Sequence, residues 1–261
     1  MHSDTLAAPT LTLPARSDTA TRLAVTWQHP VNRRHEPVGL LTCDSGLFRF
    51  RYLARADDVE GFQPFLGTPD LNGDHVSPRL FPLFAQRVMR LSRPDFPRYL
   101  EALCLPSDAD QWQILARSQG QREGDGIRVF MEPLVDANGA TRSTFLVHGV
   151  RHRLAANPHV EAALAALVPG EQLTLVNEPD NPADAQAILV SDQRDVALGW
   201  IPSVLLTYVN TAVASGTTEI RVERANDPST PPGYRLLVTL HGHVPPGHRP
   251  FHGPDWEPHT S

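Results

Sequence analysis

The chain has 261 residues, 41% hydrophobic and 20% charged, which is room for two ordinary domains with their own cores. All 23 basic residues are arginine. Without lysine there is no P-loop, no Schiff-base enzyme and no protein kinase, and a net charge of -6 argues against a coat for duplex DNA, whose affinity comes from clustered cations.

Cys43 and Cys104 are too few for a disulfide framework and lack the paired spacing of a zinc site, so two buried thiols in a reducing compartment are expected. No run reaches the length of a membrane span, and the N-terminus has no basic stretch leading into an apolar core. A cytoplasmic protein with no membrane partner is the expectation. No nucleophile elbow or repeated acidic metal-binding motif is present, which points to a non-enzyme without cofactors.

Residues 1–21 mix Pro, Thr, Ser and Ala without periodicity and read as a disordered tail. Strands are predicted at Leu23–Trp27, Val38–Cys43 and Leu47–Leu53, the last two joined by the hairpin turn Asp44-Ser45-Gly46. Helices follow at Leu80–Met89, Phe96–Leu103 and Asp110–Arg117, then a strand at Ile127–Leu134. The stretches Val38-Gly39-Leu40, Gly46 to Leu53 and Leu80-Phe81-Pro82-Leu83-Phe84 resemble the N-terminal subdomain of HipA-type kinases over roughly residues 22–105. That resemblance implies an accessory domain that docks a partner, since the kinase body is missing.

Turn-prone residues from Asp136 to Thr141 set the boundary, giving a first domain at 22–136 and a second at 143–241. The second reads as a strand at Phe145–Val150, a helix at Pro158–Val168, and short strands at Leu173–Val176, Ala185–Val190 and Val196–Trp200. A helix carrying Val204 to Ala212 and strands at Glu219–Glu223 and Tyr234–Leu240 complete it. Residues 242–261 form a Pro/His-rich tail, also expected to be disordered. Its histidines, His243, His248, His252 and His259, with His241 before them, have no fixed scaffold for a metal, and none is expected.

Three blocks in the second domain stand together: Gly149-Val150-Arg151, the run from Glu178-Pro179 through Asn181-Pro182-Ala183-Asp184 to Ala187-Ile188, and Leu198-Gly199-Trp200-Ile201-Pro202. In this order they resemble the HIRAN family. The resemblance implies a small OB-like β-barrel with two helices, which after the β-rich N-terminal domain with short helices makes an α+β chain. It also implies a non-catalytic partner for single-stranded DNA, capping a 3′ end.

Carried onto this chain, Asp184 is expected to accept a hydrogen bond from a 3′-hydroxyl and Asn181 to contact the end nucleotide, with Arg151 on a backbone phosphate. His152 and Arg153 stand where aromatics are common in the family and can stack on bases, and Trp200 offers a further ring. Ala183 replaces a frequent tyrosine. Arg235 is a further candidate for a positive groove, needed because about 6 arginines face about 10 acidic residues between Phe145 and His241. The competing reading is a module that docks a HipA-type kinase or toxin; a nuclease or helicase is the partner expected on the DNA reading.

Overall fold

The computed structural model describes residues 22–31, 33–122 and 124–259, so the tail expected at 1–21 lies outside the described residues. The chain builds strands β1 (Arg22–Gln28), β2 (His35–Asp44), β3 (Leu47–Tyr52) and β4 (His75–Ser77), then helices α1 (Pro82–Ala85), α2 (Phe96–Ala102) and α3 (Gln111–Ser118), then β5 (Ile127–Met131). These strands form one antiparallel sheet ordered β4-β3-β2-β1-β5. Aromatic residues recur on its inner face, and Phe50, Tyr52, Phe65, Phe84 and Trp112 bury together under α1 and α3. Asp110 caps α3 by accepting from the Gln113 N–H at 2.8 Å, while Gln113 accepts from the Asp110 N–H at 2.9 Å.

The second half adds β6 (Leu134–Val135), β7 (Ala140–Leu146), α4 (Val150–Ala156), α5 (His159–Ala166), β8 (Gln172–Asn177), β9 (Ile188–Ser191), β10 (Ala197–Trp200), α6 (Leu206–Ala214), β11 (Glu219–Ala225) and β12 (Leu236–His243). Its sheet runs β10-β9-β8-β11-β12-β7-β6. Just beyond β7, His148 exchanges backbone hydrogen bonds with Trp200 of β10, both 2.9 Å. That bridge joins the two ends of the β10-to-β7 series and closes a small barrel, which removes its open edges. Val160 and Leu164 of α5 and Leu206 and Val209 of α6 fill its core against Val190, Leu198, Val222 and Val238.

Three local expectations need correction. The helix predicted over Leu80–Met89 is a single turn, because Pro82 opens it and the buried Arg87 folds back to donate to the Leu83 carbonyl at 2.8 Å while pairing with Asp125. The strand predicted over Ile127–Leu134 divides at Pro133, which has no N–H for a ladder, and β5 and β6 belong to different sheets. The strand predicted to reach Val150 ends at Leu146. Gly149 then enters the left-handed region at φ 72° and starts α4, a third helix where two were expected.

The halves are joined along a broad seam. Leu103, Leu146 and Leu237, all fully buried, meet there, and Asn226 Nδ2 donates to the carbonyls of Ala102 at 2.9 Å and Tyr234 at 2.7 Å. Arg224 pairs with Glu101, and Gln121 donates to the Gly233 carbonyl at 3.1 Å. The Pro/His-rich C-terminus also crosses the seam instead of hanging free. Val244 N–H bonds the Gly139 carbonyl, while Ala54 N–H bonds the Glu257 carbonyl and His259 N–H bonds Tyr52. Val244 and the Phe251–Trp256 pair, with ring centroids 4.4 Å apart, are its apolar anchors.

Candidate nucleic-acid interface

The barrel-closing bridge sets the site. Trp200 ends β10, and its indole packs on the backbone of Gly149, where an added Cβ would fall 2.4 Å from a ring carbon. Gly199, one residue earlier, passes so close to the seam that its Cβ would lie 2.4 Å from the His148 carbonyl oxygen. Two of the three sequence blocks therefore contain glycines because backbone and ring must touch there. The same contact fixes the start of α4, which carries Arg151, His152 and Arg153.

Arg153 turns back onto the barrel. Its Nε donates to the Ala197 carbonyl at 3.1 Å, and its guanidinium lies over the Trp200 ring, 5.5 Å from the centroid. Arg151 and His152 are exposed on the first turn of α4, and their side chains make no hydrogen bond or ion pair among the described residues.

The signature loop, residues 178–187, connects β8 to β9 and is held to Trp200 by one carboxylate. Glu178 Oε2 accepts from the indole Nε1 at 2.8 Å and from Asn181 Nδ2. Asn181 Oδ1 in turn accepts the N–H groups of Ala183 at 2.9 Å and Asp184 at 3.3 Å, so this side chain shapes the loop from inside. Asp184 Oδ1 accepts the Gln186 N–H at 2.9 Å, and its carbonyl takes the Ala187 N–H at 2.9 Å. Asp184 Oδ2 makes no hydrogen bond among the described residues, and the side chain is half-buried at the loop surface.

The structure thus links Arg153, Trp200, Glu178, Asn181 and Asp184 in one chain of contacts, with Arg151 and His152 on the adjoining helix. Glu178 is the residue that sequence reasoning passed over. Its place at the head of the signature run was visible, but the indole that it would meet is 22 residues away in sequence. Arg235 does not belong to this surface. It is buried, bidentate to Glu161 of α5 at 2.6 and 3.0 Å, and donates through Nε to the Asn226 carbonyl at 2.9 Å. A guanidinium between two packed elements serves the barrel, which the residue's type alone does not reveal.

Behind the seam, the His148 ring meets the rings of Phe130 and His35 and lies 2.9 Å from Gln119 Oε1. Burial, with help from His35 and Arg128, pulls the His148 imidazole down to about 3. Burial and the nearby Arg128 and Arg33 bring His35 to about 4. Both are neutral near pH 7. The tail histidines are dispersed: His252 meets Arg22 and Glu132, and His259 meets Asp57. Among the described residues, no three His, Cys, Asp or Glu side chains gather as a metal site would require, and no helix is long and apolar enough to cross a membrane.

No curated protein matches the chain. Two solved structures are similar, each 19% identical and each covering 41% of this chain. One is a protein from Lactobacillus plantarum, matched over 99% of its length with a TM-score of 0.30; the other is the HIRAN domain of human HLTF, matched over 74% with a TM-score of 0.25. The likeness of residues 22–105 to HipA-type kinases is not shown by any of these comparisons. The HIRAN domain family matches residues 142–242, a span that runs from β7 to β12 and includes the closing bridge, α4 and the signature loop. That segment of the chain is a HIRAN domain.

Proposed function

We propose that the HIRAN domain binds nucleic acid, and that it holds the 3′ end of single-stranded DNA without doing chemistry on it. The observation that carries this reading is Asp184 Oδ2, which makes no hydrogen bond among the described residues and sits in the loop where the Glu178 and Asn181 side chains brace Trp200 and the loop backbone. An ionised carboxylate is an acceptor only, so it takes the proton of a terminal hydroxyl and repels a terminal phosphate. Arg151 lies beyond the braced Arg153–Trp200 pair and suits the backbone phosphate next to the end, with His152 beside it as a stacking surface.

Affinity under this reading is local. The segment is acidic overall, and one or two phosphate contacts suffice to hold a strand end. Fluorescence anisotropy with a labelled single strand tests it. Arg151→Ala weakens binding to all strands alike and lowers the slope of log affinity against log salt by about 1. Unchanged affinity and slope in that variant would remove Arg151 from the interface. Binding of blunt duplex as tightly as single strands would remove the end-holding role.

A further inference from the structure

A cleft of ≈ 850 Å³ opens where the two halves meet, away from the signature loop. Its first wall comes from the segment after α1 and from α2, and its second from residues 229–234 just before β12. The volume falls within the usual range for small-ligand sites, about 300–1,000 Å³.

The lining is cationic and aromatic. Arg93 is held by Asp95 and Arg98 by Asp227, each at 2.8 Å. Arg90 and Arg122 are exposed at the rim and make no side-chain hydrogen bond or ion pair among the described residues. Beneath them Tyr99 and Tyr234 meet edge to face with ring centroids 5.7 Å apart, one tyrosine from each half of the chain. Unpaired arginines beside aromatic rings are the chemistry that recognises a phosphate joined to a base.

We infer that this cleft is a second ligand site, taking a nucleotide unit with its phosphate on Arg90 and Arg122 and its base against Tyr99 and Tyr234. The site exists only when the halves are docked, because each supplies one ring. It stands apart from the 3′-end reading, since none of its residues belongs to the HIRAN signature. Two sources offer the same chemistry: a free nucleotide, or an internal unit of a strand. The strand is a geometrically natural source, because α4 with its exposed Arg151 packs against the 232–234 turn, whose Tyr234 lines the cleft.

The test uses the full chain with two probes, fluorescent mant-ATP and a closed circular oligothymidylate that has no end to cap. The wild type binds at least one of them, and Arg90→Ala/Arg122→Ala weakens that binding by about tenfold or more while the melting temperature stays unchanged. Arg90→Lys/Arg122→Lys, which keeps the charge, restores part of the loss. Binding of mant-ATP assigns a free nucleotide, and binding of the circle alone assigns a strand. If neither probe binds, or the alanine variant binds as tightly as the wild type, the inference is overturned.

Discussion

Replacing Gly149 with alanine should damage the barrel and the interface together. The added Cβ would lie 2.4 and 2.6 Å from two Trp200 ring carbons, in a residue whose φ is 72°. The left-handed backbone costs about 1–2 kcal/mol for a residue with a Cβ, and forcing a carbon into a packed site costs about 1–3 kcal/mol more. The expected destabilisation is about 2–5 kcal/mol, seen as a drop of about 2–4 °C in melting temperature for each kcal/mol. If the ring gives way, the indole hydrogen bond to Glu178 is lost and the signature loop is released with it. Combining Gly149→Ala with Trp200→Ala separates the two costs, because removing the ring leaves only the backbone contribution. Calorimetric melts of the four proteins decide the matter. A Gly149→Ala cost that is negligible, or identical with and without the indole, would refute the proposed contact.

Other perturbations follow from the same geometry. Glu178→Ala should loosen the loop and weaken strand binding while the barrel melts within a few degrees of wild type; unaltered affinity would show that the brace is irrelevant to binding. Arg235→Ala should cost about 1–3 kcal/mol in a melting experiment, since it removes a buried guanidinium with its hydrogen bonds to the partly exposed Glu161 and to the Asn226 carbonyl, yet leave the salt slope of DNA binding unchanged. Acid should destabilise the fold through His35 and His148. Their folded-state values of about 4 and about 3 lie below the unfolded value of 6.5, so the unfolded chain binds more protons in between. Stability is therefore complete above pH 6.5 and falls as pH drops towards 4, by about 1.4 kcal/mol per pH unit for each histidine. His148→Gln should flatten the dependence of melting temperature on pH, and an equally steep dependence in that variant would count against this assignment.

The second half was legible in the sequence because its cues are local. Alternating apolar residues mark β8, a near-continuous apolar run marks β12, Pro169-Gly170 follows the end of α5, and the three signature blocks are short and ordered. The candidate residues could be named from the sequence, but their network of contacts could not, since Glu178 reaches Trp200 and Arg153 reaches Ala197 only through strand pairing. The failures share a cause. Arg235 and Arg151 look alike in sequence, and only packing buries one and exposes the other. In the C-terminus, Val244, Phe251 and Trp256 are spaced too irregularly to show any period, yet they strap the tail across the seam. Helix α4 was hidden because Val150 continues the apolar run of β7, and only the positive φ at Gly149 breaks it.

The most direct measurement compares one single strand ending in a 3′-hydroxyl with the same strand ending in a 3′-phosphate, each titrated against wild type and Asp184→Ala. The wild type should prefer the hydroxyl, because the Asp184 carboxylate accepts its proton and repels added phosphate charge. In the variant that preference should shrink by about 1.5–3 kcal/mol, the worth of one charge-assisted hydrogen bond, with a smaller change in overall affinity. Equal affinity for both termini, unchanged in the Asp184 variant, would contradict the account and leave partner docking as the better explanation of the chain.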